Sequence, residues 1–327
     1  MVTKVVGSKD IKKTQTHEPV AHKIQGQIGG RVIEKAPRSA KIQFNFHYLT
    51  KEETPSKYNR GSLAITRDDK HTGWLHHLIH LGQIINSKIF GTPNKNINLC
   101  HSQVIIGVNE RKGKEGELLL AHAIFGGIKT TSESHKKDEV ITGVNIYRPV
   151  DEKMRNLFAK FAEQTAVNFR DAGLNPKAKD FKSRVKKEVG QFSIPQMIYS
   201  IFHCQVVKPQ EKFQERAAYA AADLLRGDKL RNEKGNLAAY FCSAYTMTLL
   251  QGTALVSALN YREQKLLKEK SRDVIAHHLL GRIQAKSYGD RVAATYWENE
   301  FMQLDASRTM SYIAGDVLDR ACVTEKA

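Results

Sequence analysis

Residues 99–127 read LCHSQVIIGVNERKGKEGELLLAHAIFGG, and this stretch decides how the rest of the chain is interpreted. Two apolar runs, Cys100–Val108 and Glu117–Phe125, are separated by a charged loop that contains glycine. Runs of this length around such a loop indicate consecutive antiparallel strands. A third run, Glu139–Tyr147, extends the predicted sheet after a further glycine-containing loop.

On either side of these runs the sequence pattern predicts both strands and helices. Upstream, two short strands and an amphipathic helix are predicted at 41–48, 62–66 and 73–87. From Asp151 onward the pattern is almost entirely helical, with helices at 151–172, two within 179–203, and others at 211–225, 236–259 and 262–327. The predicted fold class is therefore α+β, with helices before and after one antiparallel sheet.

Composition excludes several classes of protein. No window of the 327 residues approaches the roughly 18 consecutive apolar residues of a membrane span. The first 30 residues are polar and lack the apolar segment of a signal peptide, so we expect a cytoplasmic protein, with secretion lacking a cleaved signal peptide left open. The four cysteines lie far apart without a CxxC pair, which argues against structural zinc and against disulfides.

The net charge of +17 is the strongest compositional signal. Such a surplus attracts polyanions such as nucleic acid, anionic lipid headgroups or acidic proteins. The basic residues are dispersed over the predicted helices, a pattern typical of solvated helix faces. No nucleic-acid-binding motif accompanies them, so nucleic acid is disfavoured as a partner and an anionic membrane surface is retained.

Cys242 is the first candidate for chemistry, because it is predicted near the start of the helix that follows Gly235 and Asn236. The free N–H groups and positive dipole end of a helix stabilise a thiolate and can bind an oxyanion. A small cysteine beside Phe241 and Tyr245 can equally be a packing residue of the core. The segment alone leaves both interpretations open.

A thiol nucleophile needs a base, and the base needs an orienting group. Alternation along the first strand puts His101 on one face with Gln103 and Ile105, and His122 lies on a face of the next strand. Two histidines on consecutive antiparallel strands can lie side by side, one as base and the other holding its tautomer. Cys100, adjacent to His101, points to the opposite face and is a poor nucleophile.

Five motifs occur here in a fixed order: GSLAI (61–65), CHSQVIIGV (100–108), LLAHAIFGGI (119–128), VNIYRP (144–149) and YFCSAYTMTLLQ (240–251). This order resembles the circularly permuted NlpC-type papain-like cysteine hydrolase and acyltransferase superfamily, which includes YiiX-like and lecithin:retinol acyltransferase-like branches. In those families a histidine opens one strand, a polar residue follows in the next, and a cysteine begins a helix. The resemblance covers about residues 59–149 and 235–259. Ala244 stands where the family has Glu, which leaves the substrate class open.

The resemblance implies that Cys242 is the nucleophile, His101 the base and His122 the third member. It also implies a permuted papain-like core, in which the antiparallel sheet packs on a nucleophile-bearing helix. The segments would be a basic, loosely ordered arm (1–45), the sheet half (46–150), a large helical insertion (151–234), the nucleophile helix (235–260) and a C-terminal helical extension (261–327).

The expected function is a cysteine hydrolase or acyltransferase that forms an acyl-enzyme on an amide, ester or thioester. Its substrates would be acyl-bearing proteins, peptides or lipids, and export of a bacterial effector toward a host is a hypothesis for context. No cofactor is predicted, because no phosphate-binding motif follows Gly126 and Gly127.

Two alternatives remain. A non-catalytic basic module could bind nucleic acid or an anionic membrane. A zinc protein could use His76 and His80, which are one helical turn apart, although no metal is predicted because no Glu follows His76 as in HExxH.

Overall fold

The structure is a computed structural model that describes residues 42–55, 59–68, 74–90, 96, 98–110, 116–124, 127–133, 143–169, 172–175, 177–203, 211–232, 234–285 and 291–323. Side chains at 74–76, 78, 86, 89, 90, 201–203, 211, 291 and 292 are outside that description. Residues 1–41 of the predicted arm lie outside the described residues, and the first described strand begins at Phe44.

One antiparallel sheet of six strands organises the molecule. Its strands are β1 (Phe44–Leu49), β2 (Ser62–Arg67), β3 (Leu99–Val108), β4 (Leu118–Ile124), β5 (Gly127–Glu133) and β6 (Gly143–Pro149). Their spatial order is β1-β6-β2-β3-β4-β5. The α+β class and the antiparallel sheet are therefore confirmed.

The predicted order of strands was wrong in one respect. The third apolar run does not follow β4 in the sheet, because β6 pairs with β1 and β2 instead. The edge position beside β4 is taken by β5, which the sequence analysis interpreted as a loop after Gly126. Five of the seven β5 residues, from Lys129 to Glu133, are only partly buried. An edge strand with a polar sequence lacks the apolar alternation that identifies a buried strand.

The helices follow mainly after the sheet, as predicted. They are α1 (Trp74–Phe90), α2 (Glu152–Thr165), α3 (Phe181–Glu188), α4 (Ile194–His203), α5 (Glu211–Arg226), α6 (Cys242–Ser257), α7 (Tyr261–Lys268), α8 (Arg272–Gln284), α9 (Arg291–Trp297) and α10 (Ser311–Arg320). Two 3-10 turns, Glu300–Gln303 and Ala306–Arg308, precede α10. None of the helices in the described part of the chain has the length and hydropathy required to cross a bilayer.

The helix α6 lies at the centre of the molecule, since every one of its residues is buried. It belongs to a large apolar core that also contains Val104 and Ala121 on one face of the sheet. A smaller core, which contains Ile105 and Leu120, covers the other face. The alternation of β3 and β4 therefore divides their side chains between two separate cores.

The start of α6 differs from the sequence prediction in a way that bears on function. The helix begins at Cys242 rather than at Asn236. The intervening residues include a short strand, β8 (Ala239–Tyr240), which pairs in parallel with β7 (Gln191–Phe192). Tertiary pairing thus overrides the helical propensity of this alanine-containing segment. Because of this pairing, Cys242 is the first residue of the helix α6.

The C-terminal helix α10 is fixed closely against the sheet. A Cβ on Gly315 would lie 2.5 Å from Cδ1 of Leu99, so a larger residue there would force the buried Leu99 side chain to shift. The Tyr147 hydroxyl donates to Asp319 at 2.8 Å, and the Asn96 amide donates to Asp316 and Asp319. These contacts place the first residue of α10, Ser311, beside β3.

Candidate active site

His101 and His122 lie side by side, as the strand pattern predicts. Nε2 of His101 is 2.9 Å from Nδ1 of His122, and the two ring centroids are 5.1 Å apart. His101 is carried by β3 and His122 by β4, on the face of the sheet that also carries Ile105 and Leu120. The histidine pair is thus built by two neighbouring strands.

A chain of hydrogen bonds sets the direction of the protons in this pair. The Thr131 hydroxyl donates to Oε1 of Glu133 at 2.8 Å, so its oxygen is free to accept from Nε2 of His122 at 3.1 Å. His122 then carries its proton on Nε2 and accepts from Nε2–H of His101 through Nδ1. This assignment leaves Nδ1 of His101 with a lone pair, which is the requirement for a general base.

Thr131 and Glu133 were missed by the sequence analysis because both belong to β5, the strand that was not predicted. Their side chains point to the same face as His122, since β5 pairs with β4 in register Leu120↔Thr131 and Leu118↔Glu133. Residues two apart on a strand point to the same face, so recognition of β5 as a strand would have placed Thr131 and Glu133 on one face.

Both histidines are neutral in the resting structure. Burial lowers the pKa of His101, while the Glu133 carboxylate opposes that shift. Burial also lowers the pKa of His122 well below its ordinary value of 6.5, with further lowering by His101 and Lys129. A proton taken up by His101 would be stabilised along the chain that ends on Glu133.

Cys242 lies at the first residue of α6 and is 8% exposed. Burial raises the pKa of its thiol. Four donors oppose that shift: the backbone N–H groups of Ser102, Ser243 and Cys242 itself, and the Ser311 hydroxyl. The resting thiol is therefore protonated, yet it lies among groups that stabilise negative charge on sulfur or on a neighbouring oxygen.

The thiol and the imidazole pair approach from opposite faces of the sheet. Cys242 belongs to the larger core, and alternation puts the histidines on the face of the smaller core. The paired part of β3 and β4 ends at Val104 and Ala121, so the Ser102 backbone is outside that ladder, but on its other side Ser102 pairs with Ile65 of β2. The thiol and the imidazole pair therefore lie on opposite faces of a paired strand.

The backbone N–H of Ser102, the residue after His101, acts on the Cys242 sulfur. The described groups that act on the sulfur do not include the His101 imidazole. Proton transfer to His101 therefore requires a conformational change that brings the imidazole and the thiol together at one face of the sheet.

Ser311 is a second site residue that the sequence analysis missed. Its hydroxyl accepts from Ser102 Oγ at 2.8 Å, donates to the Cys100 carbonyl at 3.4 Å and also acts on the Cys242 sulfur. The Ser243 hydroxyl donates to the Thr309 carbonyl at 2.6 Å, so residues 309–311 cover the start of α6. The C-terminal helical extension therefore supplies a polar group to the site.

Comparisons with protein-family models, curated proteins and solved structures found no match. The site is accordingly interpreted from its own geometry. The papain-like core stays a prediction, and so do the catalytic roles of Cys242, His101 and His122.

Cys100 and the pair His76 and His80 were considered in the sequence for other roles. A bulge opposite Thr66 and Arg67 places the Cys100 sulfur 3.6 Å from the Thr66 hydroxyl, and burial raises the pKa of that thiol, which also interacts with Cys242, to about 12. The side chain of His76 lies outside the described residues, so the alternative of a zinc site with His80 is not tested. Across the described residues, no three His, Cys, Asp or Glu side chains are grouped to hold a metal ion.

Proposed function

We propose that the protein is a cysteine-nucleophile enzyme that transfers an acyl group through a thioester on Cys242. The proposal is carried by one observation. A directional hydrogen-bond chain from Glu133 through Thr131 and His122 leaves a lone pair on Nδ1 of His101, and the backbone N–H of the next residue, Ser102, acts on the candidate sulfur. Acyl transfer by a thiol requires a nucleophile, a base and a group that orients the base, and we assign these roles to Cys242, His101 and His122.

In the first half-reaction, Nδ1 of His101 takes the proton of the Cys242 thiol. The sulfur attacks the acyl carbonyl, the carbon–sulfur bond forms, and the carbonyl oxygen becomes an oxyanion. When the intermediate collapses, the bond to the leaving group breaks and His101 returns its proton to that group. His122 orients the ring and stabilises the imidazolium form, because its own Nε2–H is directed to Thr131.

In the second half-reaction, His101 deprotonates an acceptor that attacks the thioester and releases Cys242. Water as acceptor gives a hydrolase, and an amine or an alcohol gives an acyltransferase. The backbone N–H of Cys242 is the first oxyanion donor that we propose, and the Ser311 hydroxyl is the second. The acyl donor would be a protein, a peptide or a lipid that carries an amide, ester or thioester.

Selective labelling of Cys242 tests this proposal. A thiol-reactive acyl-type probe is expected to modify Cys242 about tenfold faster than a small free thiol, although burial raises the pKa of Cys242. Only assisted deprotonation can give a buried, protonated thiol that reactivity. Site-resolved mass spectrometry of the modified chain measures the rate at each cysteine.

Cys322 provides the matched control, because burial also raises its pKa, to about 11, and it lies at the end of α10 away from the histidine pair. Cys322→Ala should leave the labelling rate of Cys242 unchanged, whereas Cys242→Ala should remove the fast phase. If Cys242 and Cys322 react at the same rate, the proposed nucleophile is wrong.

A second candidate function, docking on an anionic membrane, is favoured by the surface of α3 and α4. The two helices are adjacent in the chain, and α3 exposes Lys182, Lys186 and Lys187. Ile194 and Ile198 on α4 are both exposed and one turn apart. Basic residues beside an apolar helix face suit an interface with anionic lipid.

We expect vesicles with 30 mol% phosphatidylserine to bind the chain, and Ile194→Asp with Ile198→Asp to abolish binding. Binding that survives this double variant and responds only to salt would exclude the apolar contact. Unchanged binding by Cys242→Ala would separate docking from catalysis.

A further inference from the structure

A cavity in the described part of the chain does not include Cys242 in its lining. It has a volume of about 720 Å³ and lies between α4, α5, α6 and the segment 304–307. The helix α6 contributes Thr248 and Gln251 to its wall. These residues follow Cys242 by six and nine positions, which at about 100° per residue places them on the opposite side of the helix. The cavity is therefore separate from the candidate active site.

The lining of this cavity combines aromatic and cationic groups. Three tyrosines, Tyr199, Tyr219 and Tyr240, contribute to its walls, as do Arg216, Arg231 and Lys234. Arg231 and Lys234 are exposed at the rim. A single carboxylate, Asp305, lines the cavity among the described residues. It is already engaged by Arg216 at 3.0 Å and by Arg308 at 3.4 Å. The cavity thus has a cationic excess beside aromatic surfaces.

An amide at the wall lacks a partner. Oε1 of Gln196 is buried and makes no hydrogen bond to any of the described residues, and Gln196 lines the cavity. A buried acceptor without a donor costs on the order of 1–3 kcal/mol. Rotation of this amide would direct both its acceptor and its donor to the polar edge of a bound ring. The amide is therefore a recognition group that the protein itself leaves unused.

We propose that this cavity binds a nucleoside phosphate. Arg308 and Arg272 already lie over one face of the Tyr199 and Tyr219 rings, at 5.1 and 4.5 Å, so a flat base would stack on the remaining tyrosine surface. The Gln196 amide suits the edge of that base, and the arginines and Lys234 suit the phosphates. A polyphosphate without a ring would not use the tyrosines, and an uncharged nucleoside would not use the cations. The volume lies within the range of about 300–1,000 Å³ that is typical of small-ligand sites.

Titration calorimetry of the full chain with ATP and GTP, without divalent cations and at physiological salt, tests the assignment. At least one nucleotide is expected to bind with a Kd on the order of 10–100 µM. Adenosine, guanosine and tripolyphosphate should each bind at least about tenfold more weakly. Arg231→Glu with Lys234→Glu should weaken nucleotide binding at least tenfold, because the phosphates would then face negative charge.

Lys186→Glu with Lys187→Glu is the matched control, since it makes the same change in net charge at exposed residues of α3 outside the cavity. Nucleotide affinity should not change in this variant. Ala239→Trp, which fills the cavity from an exposed lining position, should abolish binding while the protein keeps its Tm. Failure of both nucleotides to bind, equal weakening in the control variant, or equal binding of tripolyphosphate would each overturn the assignment. Cys242→Ala should bind nucleotide normally, so the result does not depend on the proposed catalysis.

Discussion

Replacing His101 by alanine is expected to slow the acylation of Cys242 by about 10²- to 10⁴-fold, the usual contribution of a positioned general base. The sulfur of the variant would keep its four donors but lose the group that removes its proton. Stopped-flow measurement of thioester formation with an activated acyl donor gives the rate. His47→Ala is the control, because His47 is exposed on β1 and paired with Glu53.

The pH dependence separates a base from a packing residue. The pKa of His101 is below 6.5 and the pKa of Cys242 is above 9.0. Between those values the fraction of thiolate–imidazolium pair does not change with pH, so the wild-type rate should be flat from about pH 6.5 to 8.5. Without His101, the rate should rise about tenfold per pH unit, because only hydroxide then generates the thiolate. A wild-type rate that rises in the same way would contradict the proposed base.

Glu133→Gln extends the same test to the far end of the hydrogen-bond chain. Glu133 raises the pKa of His101, so removing its charge should lower that pKa further and move the acidic limb of the rate profile to lower pH. The maximal rate should fall about tenfold as the imidazolium form loses stabilisation. Glu117→Gln is matched to it, since Glu117 accepts from the neighbouring Ser132 instead of Thr131. Equal effects in both variants would contradict the chain.

The sequence identifies those parts of the site that depend on local periodicity. The alternation of apolar residues around His101 and His122 suffices to predict that they occupy consecutive strands and lie side by side. The apolar run after Cys242 likewise suffices to predict a buried helix. Each of these features is a property of about ten consecutive residues.

The rest depends on contacts between distant segments. Thr131 and Glu133 lie on a polar edge strand whose stability comes from pairing with β4 rather than from its own pattern. Ser311 reaches Cys242 because α10 packs on the sheet, where Ser311 also accepts from Ser102 and Gly315 lies beside Leu99. The pattern of apolar residues within β5 or α10 does not predict which distant segment each of them contacts. For the same reason, the sequence did not reveal that the two histidines and the thiol belong to different faces of the sheet.

Arg272→Ala is expected to destabilise the protein by about 3–5 kcal/mol, because it would leave the charge of Asp223 buried and unpaired. The Asp223 side chain is fully buried, and Arg272 is 14% exposed. The guanidinium binds both carboxylate oxygens, at 2.6 and 3.1 Å, and the backbone N–H of Arg231 binds one of them at 2.9 Å. The pair therefore joins α5 to α8 and fixes the start of the segment that leads to Cys242.

The direction in which the destabilisation of Arg272→Ala changes with pH tests whether the unpaired charge of Asp223 causes it. Burial already raises the pKa of Asp223, and Arg272 holds it down. Without Arg272 the folded-state pKa rises further above the unfolded value, so protonation favours the folded state. The difference in the free energy of unfolding between wild type and Arg272→Ala should then be largest near pH 7.5 and decrease as the pH falls toward 4.5. Urea unfolding at both pH values measures it.

Two further variants complete the test. Asp223→Asn combined with Arg272→Ala should be more stable than Arg272→Ala alone at pH 7.5, because no buried charge is left. Arg320→Ala should cost less than about 1 kcal/mol, since Arg320 and Glu300 are each about half exposed. If the double variant is less stable than the single one, the loss comes from the packing of Arg272 on Tyr219, whose ring centroid is 4.5 Å from its guanidinium carbon.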